Sequence, residues 1–176
     1  MKYKSNMDAV LSKLKDMLNP DKLDALYLEI ATNVHASNLR RIHNDGQDVN
    51  GRTIGHYSTK PFYMNPKRSP RGFAPQGKNG AKNRKTRYFS GGYKQFRSVI
   101  GRPNNKVDLQ LSGGLLHDFQ IKRIYGGYVI GFMTKHGSDI AKGMETKYRR
   151  KIWGWSSQDK TIANNIIKRH FKNAQR

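Results

Sequence analysis

Six histidines and twelve acidic residues are the side chains of this 176-residue chain that could support metal or general acid–base chemistry. Their spacing favours neither. The metalloprotease pattern H-E-x-x-H is absent, as is a glycine-rich phosphate loop followed by lysine and serine or threonine. Because the chain has no cysteine, disulfides, thiolate metal sites and cysteine nucleophiles are excluded. We therefore expect no enzymatic activity, no catalytic or metal-binding residue and no cofactor.

The individual histidines are better explained by structural roles. His35 lies about a quarter-turn from the apolar stripe of a predicted helix, which is typical of a packing position. His43 lies near the end of the same helix, where the helix dipole favours a cation. His56, His117 and His136 are scattered along the chain and show no partner at catalytic spacing.

Two short patterns resemble nuclease motifs. The run from Tyr125 to Gly131 superficially resembles the GIY-YIG nucleases, but that family has a longer spacer and needs a downstream arginine and glutamate. His43, Asn44 and His56 faintly resemble the HNH nucleases, which require a ββα-metal arrangement that a helix end followed by a loop does not supply. A small nuclease is therefore only the third hypothesis for function.

Positive charge dominates the composition. Lysine and arginine number 34 against 12 acids, for a net charge of +22, and no acid occurs between Asp48 and Asp108. This interval is rich in proline and glycine, so we expect residues 49–106, here called the basic segment, to be a mobile arm unless a partner orders it. It contains fourteen of the cations: Arg52, Lys60, Lys67, Arg68, Arg71, Lys78, Lys82, Arg84, Lys85, Arg87, Lys94, Arg97, Arg102 and Lys106.

Aromatic residues alternate with these cations, which indicates that the basic segment docks on a partner. Two partners fit: nucleic acid, through phosphate neutralisation and base stacking, or an acidic neighbouring protein chain. A solvated loop without a specific partner is the third interpretation. The candidate contacts to a subunit or to DNA are Lys67, Arg68, Arg71, Lys82, Arg84, Lys85, Arg87, Tyr88, Phe89, Tyr93 and Phe96.

Two amphipathic helices are predicted before the basic segment. The first has an apolar stripe at helical spacing over residues 7–18. The Asn19-Pro20-Asp21 sequence has the pattern of an N-cap, a first-position proline and an acid in the first turn, and it starts the second helix. The stripe of that helix extends over residues 23–42, and the helix is expected to end at Asn44-Asp45-Gly46.

Antiparallel strands and a final helix are predicted after the basic segment. Residues 107–111 alternate apolar and polar as a half-buried strand does, and residues 115–125 and 128–133 form a hairpin around Gly126-Gly127. Residues 156–159 resemble a capping box before the last helix. We therefore predict one α+β domain over residues 1–176: two N-terminal helices, a long basic arm over 49–106, a small antiparallel sheet with a hairpin, and a C-terminal helix.

Several of these runs resemble, in order, the tail-completion and virion-morphogenesis proteins of tailed phages. The sequence VDLQLSGGLLHDF, from Val107 to Phe119, is similar to the family's signature of leucine, threonine or serine, glycine and leucine before a short strand. A hairpin over 121–133 and a loop over 136–143 follow. The sequence KIWGWSSQD, from Lys151 to Asp159, resembles the family's entry into its final helix, and NGRTIGHYS, from Asn50 to Ser58, resembles its early loop.

The resemblance implies a structural role in the virion, after assembly in the host cytoplasm. Such proteins form rings, commonly of six copies, at the head–tail neck or the tail terminus, where they join the portal or adaptor complex to tail proteins. The basic segment would then contact the next copy in the ring or touch genomic DNA without sequence specificity. The alternative is a sequence-nonspecific nucleic-acid-binding protein. No run is long and apolar enough to cross a membrane, and the N-terminus lacks the apolar core of a signal peptide, so we expect no membrane partner.

Overall fold

The computed structural model describes residue 15 and residues 18–68, 73–82 and 85–174. Nearly all of the predicted first helix over residues 7–18 therefore lies outside the described residues. The predicted α+β class is confirmed, with the following elements in chain order: α1 (Pro20–Leu39), β1 (Phe62–Met64), β2 (Arg87–Phe89), α2 (Gly92–Val99), α3 (Gly114–Asp118), β3 (Phe119–Ile124), β4 (Gly127–Phe132), α4 (Lys135–Tyr148) and α5 (Ser157–Ala174).

Helix α1 begins where the sequence predicted. The Asn19 side chain accepts a 2.9 Å hydrogen bond from the backbone N–H of Asp21, and Pro20 occupies the first turn. After Leu39 the helix widens into a single π-helical turn, Arg40–Asn44, before the chain turns at Gly46. Because this turn is wider than an α-helical one, it buries three consecutive residues, Arg41, Ile42 and His43. α1 packs along α5 and against β4.

The predicted C-terminal hairpin is present, but its two-residue turn begins one residue earlier than predicted. β3 and β4 pair antiparallel from Phe119↔Phe132 to Ile124↔Gly127, so Tyr125 and Gly126 form the two-residue connection. Gly126 has φ +76°, a conformation that glycine adopts without strain. At the other end, Phe119 is buried against the rings of Phe132 and Trp153 at centroid distances of 5.2 and 5.1 Å.

The prediction of a strand over residues 107–111 is wrong. Val107 and Asp108 are both buried, and Leu109 has φ +53°, which interrupts an extended conformation. The alternation in the sequence therefore marks a buried bend, not a pleated strand. Residues 115–118, predicted as the start of the hairpin strand, form the short helix α3 instead.

Helix α4 replaces the loop predicted over residues 136–143. Thr134 caps it by accepting a 3.0 Å hydrogen bond from the Gly137 N–H, and the Asp118 carboxylate accepts a 3.1 Å bond from the Thr134 N–H. A Cβ on Gly137 would lie 1.8 Å from Asp118 Oδ2, so this glycine is required for close packing and does not break the helix.

The capping box at the start of α5 is confirmed. Ser156 Oγ accepts a 3.1 Å hydrogen bond from the Asp159 N–H, and Asp159 Oδ2 accepts a 2.7 Å bond from the Ser156 N–H. Both residues are buried, and Ala163 and Ile166 continue the buried stripe of the helix. The C-terminal helix thus has the position and start that the sequence predicted.

The described part of the basic segment is folded, contrary to the expectation of a mobile arm. β1 and β2 form a second antiparallel ribbon, and Gln76 bonds to the other edge of β2 through the Thr86 carbonyl and the Tyr88 N–H. Four phenylalanines pack beneath the ribbon, and each of the four rings has its centroid within 6 Å of another. These rings supply the apolar area that the proline- and glycine-rich composition concealed; they are Phe62, Phe73, Phe89 and Phe96.

The described residues form two hydrophobic clusters. The main cluster lies between α1, the β3–β4 hairpin and α4, and the smaller one lies under the β1–β2 ribbon. Tyr93 packs against both, so the basic segment is attached to the rest of the fold through side-chain packing. The main cluster comprises Ile42, Ile54, Tyr57, Val107, Phe119, Ala141, Ile152 and Trp153.

Candidate interaction surfaces

A buried ion pair joins the basic segment to the main cluster. Arg97 of α2 donates from Nη2 to Asp108 Oδ2 at 2.7 Å, and the side chains are 1% and 6% exposed. The remaining guanidinium donors bond to the carbonyl oxygens of Pro103 and Gln110, both at 2.6 Å. Every branch of Arg97 therefore has an acceptor, which a buried guanidinium requires.

Asp108 is bound on its other side by Tyr57. The Tyr57 hydroxyl donates to Asp108 Oδ1 at 2.8 Å, and the Gln110 N–H donates to the same oxygen at 2.9 Å. Burial raises the pKa of the Tyr57 phenol well above its usual range, so the hydroxyl keeps the proton that it donates. The Arg97 guanidinium also lies 4.4 Å from the Tyr57 ring centroid, a cation–π contact. This carboxylate therefore holds the fold together, with none of its oxygens directed at an open site.

His43 contacts the same bend and is held neutral. Its Nδ1–H donates to the Asp108 carbonyl oxygen at 2.6 Å, while Nε2 is buried without a hydrogen-bond partner among the described residues. Burial lowers the pKa of His43, and the bond to Asp108 opposes this only in part. A cation is therefore disfavoured at this helix end, because burial penalises the charged imidazole more than the interactions with Asp108 favour it.

We expect acid to destabilise the protein through His43. Its pKa is lower in the folded state than the value of about 6.5 in the unfolded chain, so the unfolded state binds the extra proton first. The stability that His43 contributes is complete above pH ~6.5 and is lost as the pH falls toward the folded-state pKa. Urea unfolding between pH 5 and 8 measures this, and His43→Gln should flatten the dependence whereas the exposed control His117→Gln should not. Equal pH dependence in wild type and His43→Gln would contradict the assignment.

A second polar network fixes the segment that enters α5. Arg41, in the π-helical turn, donates from Nη1 to the Ile152 carbonyl at 3.0 Å and from Nη2 to Asn38 Oδ1 at 2.7 Å. Asn38 in turn donates to Asp159 of the capping box at 3.3 Å. Desolvation lowers the pKa of Arg41, and Asp159 opposes that shift. Arg41 Nη2 also donates to the Gly154 carbonyl at 3.3 Å, so the network orients residues 152–154, which belong to one of the family-like runs.

An exposed apolar surface lies beside that segment. We call it the hairpin face; it consists of Tyr27, Ile124, Tyr125, Val129 and Trp155. Trp155 is 51% exposed and Tyr125, at the hairpin turn, is fully exposed. A shallow groove between α1 and β4 runs under Trp155 and is lined by Tyr27, Ile30 and Val129. Large apolar side chains exposed together are typical of a protein–protein contact.

A cavity of about 530 Å³ opens at the opposite end of the hairpin. Its walls come from α2, the bend after Asp108, α3 and α4, and they include Leu109, Leu115 and Tyr148. Lys147 and His136 are cationic or ionisable groups on its rim, and both are exposed. β3, six residues long, begins beside this cavity and ends at the hairpin face, a distance of roughly 17 Å at strand rise.

The structure describes nine of the eleven predicted contact residues and divides them into three groups by exposure. Lys67, Arg68, Lys82 and Lys85 are exposed, and Arg87, Tyr88 and Tyr93 are half-buried. Arg71 and Arg84 lie outside the described residues. Phe89 and Phe96 are 1% and 0% exposed, so they were wrongly assigned as contacts: their rings are packed in the small cluster and cannot stack on a partner.

One exposed aromatic residue was missing from that set. Tyr63 of β1 is 53% exposed and lies opposite Tyr88 of β2, with the ring centroids 5.0 Å apart. The period of two along β1 separates Tyr63 from the inward Phe62 and Met64. That alternation is visible in the sequence and could have identified Tyr63 once β1 was recognised as a strand.

Neither a metal-binding cluster nor a membrane-spanning helix is found among the described residues. No group of three or more His, Cys, Asp or Glu side chains within them is arranged to hold a metal ion. Likewise, no helix in the described part of the chain has the length and apolarity needed to cross a membrane.

In comparisons with known proteins, no family model, no curated protein and no solved structure matches this chain.

Proposed function

We propose that this chain is a structural subunit of a tailed-phage virion, forming a ring at the neck or tail terminus that joins the portal or adaptor complex to the tail. Support comes from the ordered series of family-like runs and from the hairpin face. Trp155 belongs to both: it lies in the run from Lys151 to Asp159 and is exposed on the surface. This exposed tryptophan is the observation that carries the proposal.

The arrangement of surfaces favours a head-to-tail ring. A heterologous interface joins two different patches, and repeating it around an axis closes a ring. The hairpin face and the 530 Å³ cavity are two such patches at opposite ends of the β3–β4 hairpin. In the proposed ring the apolar turn at Tyr125 contacts the cavity of the next copy, where Leu115 and Tyr148 provide apolar wall. Six copies is the number that the family resemblance implies.

Substitution of Tyr125 and Trp155 tests this arrangement. We expect the double variant Tyr125→Ser/Trp155→Ser to lose rings in negative-stain micrographs while keeping the wild-type melting temperature, because both side chains are exposed and contribute little to the core. Phe171→Ser is a matched control, since Phe171 is 43% exposed on α5, which lines neither the cavity nor the groove at the hairpin face. Rings that survive in the double variant would contradict this interface.

The second candidate function is sequence-nonspecific nucleic-acid binding as the main activity. The exposed cations of the basic segment favour it. The two hypotheses differ in the assembled state: a nucleic-acid-binding protein without a virion role is a stable monomer or dimer and is absent from purified particles. A subunit of the neck or tail co-sediments with particles and forms rings without added nucleic acid.

A further inference from the structure

We propose that the outer face of the β1–β2 ribbon binds single-stranded nucleic acid, with bases stacking on Tyr63 and Tyr88. The antiparallel register pairs Tyr63 with Tyr88, and their neighbours Phe62 and Phe89 pair on the inner face, where Phe89 is buried and Phe62 is partly buried. Tyr63, which is 53% exposed, and the half-buried Tyr88 are therefore the aromatic side chains on the outer face of the ribbon. They are supported from beneath by the four-phenylalanine cluster, so the backbone that presents them is held in place.

Cations lie at both ends of the tyrosine pair. Because Met64 pairs with Arg87, the turn that follows β1, with Lys67 and Arg68, lies at the same end of the ribbon as Lys85. At the other end, Lys60 precedes Phe62, and the Lys94 N–H donates a 3.0 Å bond to the Ser58 carbonyl, which brings Lys94 there. Lys60, Lys67, Arg68, Lys85 and Lys94 are all exposed. A strand laid across the ribbon would therefore meet positive charge before and after the rings.

The charge pattern favours a ligand with a phosphate backbone. No acid occurs between Asp48 and Asp108, so the segment that builds the ribbon supplies no carboxylate to neutralise its own cations. Stacking rings between cations is the arrangement by which proteins bind unpaired bases and their phosphates without sequence preference. In a duplex the bases are already stacked on each other, so only the phosphates would remain for contact. An acidic protein would use the charge but has no planar bases for the two rings.

This inference is independent of ring formation. The tyrosine pair belongs to the basic segment, whereas the hairpin face belongs to α1, the β3–β4 hairpin and Trp155. A protein that forms rings without binding nucleic acid would overturn only the present inference. A monomer that binds nucleic acid through the ribbon would overturn only the proposed ring.

Fluorescence anisotropy tests the role of the two tyrosine side chains. The probe is a labelled oligothymidylate of about 15 nucleotides, a length within the usual range of single-strand binding sites. We expect Tyr63→Ser/Tyr88→Ser to weaken binding by roughly tenfold to a hundredfold, and Tyr63→Phe/Tyr88→Phe to retain it because the stacking face is kept. Circular dichroism establishes that both variants are folded. Unchanged affinity in the folded serine variant, or equal affinity for a duplex of the same length, would overturn the proposal.

Salt titration tests whether the cations contact phosphates, in variants that keep both tyrosines. For a single strand, each phosphate contact that is lost reduces the magnitude of the negative slope of log K against log salt by about 0.7, so Lys67→Gln/Arg68→Gln should reduce that magnitude by roughly 1.4. The control Lys122→Gln/Lys168→Gln removes the same charge from exposed positions on β3 and α5 and should leave the slope unchanged. Equal slopes in both variants, or displacement of the wild type by polyglutamate as readily as by oligothymidylate, would instead indicate a general polyanion surface.

Discussion

Asp108→Ala is expected to lower the free energy of unfolding by about 3–5 kcal/mol, the usual cost of removing one partner of a buried ion pair. The substitution leaves the Arg97 guanidinium buried beside the Tyr57 ring with no countercharge. It also removes the acceptor of the Tyr57 hydroxyl and of the Gln110 N–H. Urea denaturation followed by tryptophan fluorescence measures the change, because Trp153 belongs to the main cluster.

Two controls separate the ion pair from general damage. Asp139→Ala removes an exposed acid from α4 and should change stability by no more than about 0.5 kcal/mol. The double variant Arg97→Met/Asp108→Ala should be destabilised by much less than the sum of the two single variants, because it leaves no unpaired buried charge. Additive effects, or a loss below about 1 kcal/mol in Asp108→Ala, would mean that the pair does not attach the basic segment to the main cluster.

Gly92→Ala is expected to cost roughly 2–6 kcal/mol, combining backbone strain with steric overlap. Gly92 has φ +68°, and a Cβ there would lie 2.5 Å from the Thr59 carbonyl carbon and 2.6 Å from the Ser58 and Lys60 carbonyl oxygens. These atoms are backbone, so they cannot turn away as a flexible side chain would. The start of α2 would have to separate from the segment before β1, which would uncover Phe96. Thermal unfolding reports the loss.

Gly51→Ala is the matched control for this prediction. Gly51 has φ +75°, yet nothing lies within 4 Å of a Cβ at that position. The Gly51→Ala variant should therefore lose only the backbone strain of a left-handed alanine, about 1–2 kcal/mol. Equal melting temperatures for the two variants would show that the packing of α2 on residues 58–60 is looser than described.

The elements that the sequence predicted correctly are those with signals a few residues apart. The Asn19-Pro20-Asp21 start of α1 and the Ser156–Asp159 box of α5 each depend on side chains that bond to the adjacent backbone. The β3–β4 hairpin likewise depends on its own glycine turn. Such signals act locally, so they can be recognised without knowledge of the rest of the chain.

The failures have a common physical origin in contacts between distant residues. Asp108 interrupts an apparent strand because it is drawn inward by Arg97 and Tyr57, the latter 51 residues earlier in the chain. Gly137 lies in the segment predicted as a loop, but its missing side chain makes room for Asp118 within α4. Neither partner could be identified from spacing alone.

The same limit applies to the candidate surfaces. Composition correctly indicated a basic segment with aromatics, but it could not separate inward from outward rings until β1 and β2 were paired. Pairing places Phe89 inside and Tyr63 outside. Trp155 was recognised only as part of a family-like run, and its exposure follows from the Arg41 network that fixes residues 152–154.

Native mass spectrometry of the purified wild-type chain, without nucleic acid, tests the central claim most directly. The proposed ring predicts a discrete assembly with a mass that is an integer multiple of 20.2 kDa, with six copies expected, and its loss in the Tyr125→Ser/Trp155→Ser variant. A monomer at every concentration, unchanged by that substitution, would contradict the account.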